Sequence, residues 1–121
     1  MKHYLVIIRQ TLPFAIDAFE MNGRELELDD FYKVINGFIE VIPIPSMPDL
    51  KLVIDDCGIM KNLPLNIFAT ELANHTLLFD ALVGPALIAK QKGPELWPLD
   101  ESDLSKLHEY AKSRGCYVER H

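Results

Sequence analysis

Three small groups of residues carry the side chains that could do chemistry in this chain. Asp55-Asp56 and Glu40 offer carboxylates, which could serve as oxygen ligands for a hard cation or as an acid and a base acting on a small polar substrate. The run lacks the alternating acids of a calcium loop and continues into Cys57-Gly58, so a tight turn is its more frequent reading. Asn66 and Thr70 stand one turn apart at an expected helix start, where free amides and the positive dipole end can hold an anion or an amide-rich ligand. The same pair also reads as a helix cap and a satisfied hydroxyl. Trp97, the sole tryptophan, lies in Glu95-Leu96-Trp97-Pro98, a loop into the last helix, and either lids the core or stacks on a partner.

Other chemistries find little support. Ser46, Ser102, Ser105 and Ser113 sit in a proline-rich turn or on the last helix, outside any nucleophile motif, and His108 on that helix reads as a partly exposed polar residue. His3, His75 and His121 are too scattered for a metal site, and no glycine-rich phosphate loop is present. Cys57 and Cys116 lack zinc spacing and read as reduced thiols. No cofactor or metal is expected.

The elements that must position these groups follow from periodicity and punctuation. Lys2 to Arg9, rich in β-branched and aromatic residues ahead of a Thr11-Leu12-Pro13 break, predicts a central strand covered on both faces. Phe14 to Met21 and Arg24 to Leu28 flank Asn22-Gly23, which predicts a hairpin through a type I′ turn. Asp29 or Asp30 is expected to cap a short helix bearing Phe31, Val34 and Ile35, with Asn36-Gly37 as its stop. Phe38 to Ile42 and Lys51 to Ile54 predict a further hairpin around the prolines at 43, 45 and 48. Asn66 caps a second helix over Ile67 to Ala73, with Asn74 as its left-handed stop, and Leu82 to Lys90 predicts a strand bulged at Gly84-Pro85. The last helix carries the densest signals. With Asp100 as N-cap, Leu99 and Leu104 form a hydrophobic staple, Leu104, Leu107, Tyr110 and Ala111 line one side, and Gly115 ends it. Cys116 to Val118 reads as a last extended segment. The sum is one α+β domain over residues 1–121, with a mixed, mostly antiparallel sheet of about five to six strands, two short helices and a C-terminal amphipathic helix.

Composition bounds the partners. The 121 residues are 49% hydrophobic and 25% charged, ordinary for a globular domain. Twelve basic against eighteen acidic residues give a net charge of −6, which disfavours direct nucleic-acid binding. Tyr4 to Ile8 is too short for a secretory signal, and the longest uncharged apolar stretch, Ala81 to Ala89, is too short to span a bilayer, so no membrane role is expected and the cytosol is the default.

The order of segments carries a resemblance. Asn36-Gly37-Phe38-Ile39-Glu40-Val41-Ile42, Leu52 to Gly58, Leu63-Pro64-Leu65-Asn66-x-x-Ala69-Thr70-x-Leu72, Asp80-Ala81-Leu82-Val83-Gly84-x-Ala86 and the Leu99-Asp100-Glu101 helix start are together similar to an uncharacterised domain family of bacteriophages, mobile elements and their bacterial hosts. The likeness covers about residues 28 to 112, and the Leu-Pro-Leu-Asn-x-x-Ala-Thr block is its most specific part. Two positions depart from the pattern. Asn36 stands where a glycine is usual, and Ile67 and Phe68 replace an arginine common after the block's asparagine, which weakens any phosphate grip beside Asn66.

The resemblance implies a small α+β domain in a bacterial host cytoplasm and no assigned activity. The expectation is a non-enzymatic accessory protein that binds a host protein or a small nucleotide-like ligand, for instance to counter host defence. Asn66, Thr70 and Glu40 are the first candidate ligand residues, with Asp56 and Trp97 behind them. The alternatives are a small enzyme using Asp56 or Glu40 as acid and base, and a homo-oligomeric structural or interaction protein presenting Pro43 to Pro48 and Trp97.

Overall fold

A computed structural model describes residues 1–10 and 15–121, so the Thr11-Leu12-Pro13 break and Phe14 lie outside the described residues. Along the chain come β1 (His3–Ile8), β2 (Ala15–Met21), α1 (Leu28–Tyr32), β3 (Ile39–Pro43), β4 (Leu50–Asp55), α2 (Ile67–Leu72), β5 (Ala86–Lys92), β6 (Glu95–Trp97), β7 (Leu99–Asp100), α3 (Glu101–Lys112) and β8 (Tyr117–Arg120). The main path of the sheet runs β3-β4-β5-β1-β2-β8. Every pairing is antiparallel except β2 with β8, which is parallel. The fold is thus the expected α+β, with eight strands among the described residues, six of them on the main path.

The two additional strands explain how β1 stays covered along its length. β5 pairs with β1 only from Val6↔Ile88 to Ile8↔Ala86, then turns to β6 at Lys90↔Trp97. The return chain crosses Pro98, which has no amide to donate, and continues as β7 against His3 and Tyr4. The turn that allows this is Gly93-Pro94, where Gly93 takes φ 59.

Strand alternation divides the apolar side chains between two layers. Tyr4, Val6 and Ile8 of β1 join Ile16, Leu52 and Ile88 under α2 (Phe68, Leu72) and α3 (Leu104, Leu107, Ala111). Leu5, Val53, Leu87 and Ala89 point the other way, under Leu26, Phe31 and Ile35 around α1. β1 is therefore central and covered on both faces, as its unbroken apolar run predicts. No helix among the described residues is long and apolar enough to cross a membrane.

α3 starts as its sequence dictates. Asp100 Oδ1 accepts from the Asp103 amide at 2.9 Å, Asp103 Oδ2 accepts from the Asp100 amide at 3.1 Å, and Leu99 and Leu104 are buried beside them.

Three local expectations differ from the structure. Arg24 to Leu28 forms no strand, because Gly23 does not take positive φ and instead lies against His3, whose ring is 2.6 Å from where a Cβ would stand. Arg24 turns to clamp Asp30 (2.8 and 2.9 Å), and Leu26 makes a single backbone bond to Leu96. α1 is capped at Glu27, whose amide donates to Asp30 Oδ2 at 2.7 Å, so Asp30 acts from the third helical position. The expected strand Leu82 to Lys90 divides. β5 begins after Pro85, and Val83 makes an isolated bridge with Leu65.

Candidate functional site

The Asn66 helix start is a buried knot. Asn66 caps α2 by accepting from the Ala69 amide at 3.1 Å, while its Nδ2 donates to the carbonyls of Gly84 (2.9 Å) and Ile8 (3.4 Å). The Thr70 hydroxyl donates to the Asn66 carbonyl at 2.8 Å and accepts from the Leu82 amide at 2.9 Å. The Asn66 amide in turn donates to the Leu82 carbonyl, and the Gly84 amide to that of Pro64. Both side chains are 1% exposed, with every polar arm taken up within the chain. Asn66 and Thr70 thus tie the Leu-Pro-Leu-Asn segment to Leu82-Val83-Gly84, and the amides of this helix start do not face an accessible hollow. Gly84 is needed there, since it sits at φ 82 and any Cβ added to it would stand 2.7 Å from Leu63 Cδ1.

Glu40 and Asp56 come together elsewhere, through the β3–β4 hairpin. Glu40 pairs with Ile54 and Ile42 with Leu52, which puts Glu40 and Ile42 on the face that carries α2 and α3. Asp56 follows the end of β4, where its amide donates to the Phe38 carbonyl at 3.0 Å. The segment between α2 and β5 forms the opposing wall. Together these residues enclose a cleft of about 190 Å³, with Ile42, Ile54, Leu82 and Val83 as apolar lining and Glu40, Asp55, Asp56, His75 and Asp80 as polar lining.

Both loops at the mouth of this cleft are pinned, and both turn apolar side chains outward. Asp80 Oδ1 accepts from the Thr76 amide and hydroxyl (2.5 and 3.1 Å), and these hydrogen bonds hold its carboxyl below the usual range against the opposing effect of burial. The His75 ring Nδ1 donates to the Asp80 carbonyl at 2.9 Å. Closing residues 76–80 in this way leaves Leu78 and Phe79 88% and 90% exposed, with Leu77 half-exposed. Across the cleft, Gly58 packs against Val83 and Lys61 bonds the Asp55 carboxylate (2.6 Å) and the Asn36 carbonyl. That loop presents Ile59 and Met60, 75% and 85% exposed, and Phe38, whose carbonyl accepts from the Asp56 amide, is 80% exposed. Both loops beside the cleft thus carry large apolar side chains exposed to solvent.

The remaining candidates stand apart. Trp97 on β6 pairs with Lys90, which pairs with Leu50, while β4 meets the cleft at Ile54 and Asp55, about 13–16 Å further along the strand at ~3.3 Å per residue. Its indole donates to Glu95 at 2.9 Å, and Lys92 sits 4.2 Å over the ring. Asp17, Glu119 and His121 bring three metal-ligating side chains within 4.8 Å of one another, a grouping the spacing of histidines does not reveal. The Arg9 guanidinium already bridges Asp17 (2.7 Å) and Glu119 (2.7 Å), and His121 Nε2 meets Asp17 at 2.8 Å, so the group joins β2 to β8 as an ion-pair knot. A wider groove of about 550 Å³ runs between Ser46-Met47 and α3, lined by Lys106, Glu109, Tyr110, Ser113 and Arg114.

Sequence reasoning missed His75, Asp80 and the apolar loop tips. The available signal was Leu77-Leu78-Phe79, three large apolar residues in a row between Thr76 and Asp80, outside any periodic element.

No curated protein and no solved structure matches this chain. Residues 4–112, which span β1 to the last turn of α3 and both walls of the cleft, match the family described as "Domain of unknown function (DUF3846)", and the chain belongs to that family.

Proposed function

We propose that this chain is a non-enzymatic binding module of phage or mobile-element type, which works in the cytoplasm of the bacterial host by capturing a host protein and so blunts a host process such as defence. The resemblance of its segments to a phage-borne family supports the setting. The observation that carries the binding role is the run Leu77-Leu78-Phe79 facing solvent beside Ile59 and Met60, on loops pinned by Asp80 and Lys61 rather than left loose. Pinned apolar tips lose little freedom on docking.

A protein suits the cleft better than a nucleotide-like ligand. Its carboxylates at Glu40, Asp56 and Asp80 repel phosphate, and about 190 Å³ is less than small-molecule sites offer. The apolar lining likewise suits a side chain more than a small polar substrate, which weighs against acid–base chemistry by Asp56 and Glu40.

A photo-reactive residue placed at Leu78 tests the proposal in host cells, with one at the exposed Leu28 as the control position. A discrete adduct from position 78 and none from position 28 is the expected result. Equal labelling from both positions, or none from either, refutes the reading.

A further inference from the structure

Resting on the binding reading above, we infer that the captured surface is basic as well as apolar: one bulky aliphatic or aromatic side chain of a partner protein enters the cleft while flanking lysines or arginines meet Glu40, Asp56 and Asp80.

Many carboxylates elsewhere in the fold are matched by a basic side chain, though some, such as Glu25 and Glu95, are not. Asp17 has Arg9, Asp30 has Arg24, Asp55 has Lys61, Asp103 has Lys90 and Glu101 has Arg120. Glu40 and Asp56 take part in no ion pair among the described residues, and the ionic neighbour of Asp80 is His75 at 3.7 Å. Among the described residues no lysine or arginine lines the cleft, and Lys61 on the nearby loop is turned to Asp55 and the Asn36 carbonyl. The result is an apolar recess lined by four acids, of which Asp55 is matched by Lys61 while Glu40, Asp56 and Asp80 meet no lysine or arginine among the described residues. An apolar anchor with a charged rim is the usual anatomy of a docking site, and the rim chooses the partner's sign.

The same charges argue against two other occupants. A second copy docked face to face about a two-fold axis would set Glu40, Asp56 and Asp80 against their own counterparts. A membrane surface offers apolar depth for Leu78 and Phe79, but anionic headgroups repel the acids beside them.

The test uses the full chain and four nine-residue probe peptides followed by fluorescence anisotropy. One has a central Phe flanked by lysines, two replace the lysines by serine or by glutamate, and the fourth keeps the lysines but replaces Phe by serine. The lysine-flanked Phe peptide is expected to bind about tenfold more tightly than the serine-flanked one, with that advantage fading at high salt. Glu40→Gln with Asp56→Asn should remove the advantage while Leu78→Ser with Phe79→Ser removes binding itself. Equal binding of lysine- and serine-flanked peptides overturns the basic preference and leaves the docking surface standing. No binding by any peptide overturns both. So does uptake by anionic vesicles, or dimerisation in sedimentation abolished by Leu78→Asp, either of which would assign the surface to lipid or to a second copy.

Discussion

Replacing Asn66 separates a simple helix cap from a knot that joins three segments. Asn66→Ala removes the oxygen that accepts from the Ala69 amide, a loss of about 1 kcal/mol for a cap. It also strands the Gly84 carbonyl, which accepts from the Asn66 side-chain Nδ2 at 2.9 Å in a site sealed from water, for a further ~1–3 kcal/mol. The total of about 2–4 kcal/mol is a large share of the ~5–15 kcal/mol that holds a domain together. For a chain of this size it corresponds to a fall in Tm of roughly 8–16 °C. Asn66→Asp is the sharper probe. As a cap, aspartate equals asparagine, so cap-only reasoning expects no change. In the knot, a carboxylate would face the Gly84 and Ile8 carbonyls with no proton to give, and the loss should match or exceed that of alanine. Urea unfolding followed by circular dichroism measures both variants. An Asn66→Asp protein within about 0.5 kcal/mol of the parent would refute the account.

Three other outcomes follow from the same structure. Gly84→Ala should destabilise by about 2–4 kcal/mol, since φ 82 disfavours a side chain and Leu63 occupies its place, and Leu63→Ala should recover part of that loss in a double-mutant unfolding cycle. Arg9 bonding to Asp17 and Arg24 bonding to Asp30 hold both carboxyls below their ordinary values. Their contribution is therefore present above the unfolded-chain value of about 3.9 and lost as pH falls through the lower folded values, so Asp30→Asn should reduce the difference in unfolding free energy between about pH 6 and pH 2. Leu78→Asp should leave thermal stability within about 0.5 kcal/mol of the parent, because the side chain is almost wholly in solvent, while a shift larger than that would mean the loop packs on something.

How far the sequence could be read depended on the range of the signals. α3 was legible because its cap, staple and stop are local, and Gly115 takes φ 73 as expected. Asn74, at φ 59, ends α2 for the same reason. The hairpin that brings Glu40 near Asp56 was legible from two apolar runs around a proline segment. Asn22-Gly23 misled because the His3 ring, brought over it by β1, outweighs a local turn preference. β6 and β7 are three and two residues long, too short for periodicity to register. The type of role at Asn66 was readable, but its burial was not, since the carbonyls of Ile8 and Gly84 arrive from 58 and 18 residues away. The place of Asp80 and His75 at the cleft was not legible because only the packing of the α2–β5 segment against the β3–β4 hairpin puts them opposite Glu40.

The parallel pairing of β2 with β8 bears on how the protein is made. Ala15 to Ala18 must wait for Tyr117 to Arg120, so during synthesis the outer edge of β2 stays open until about a hundred further residues have left the ribosome. A nascent chain in that interval carries an unguarded row of amides and carbonyls that a neighbouring nascent chain could borrow. Crowded translation of this message should therefore favour exchanged β8 strands between copies, whereas dilute refolding of the finished chain should not.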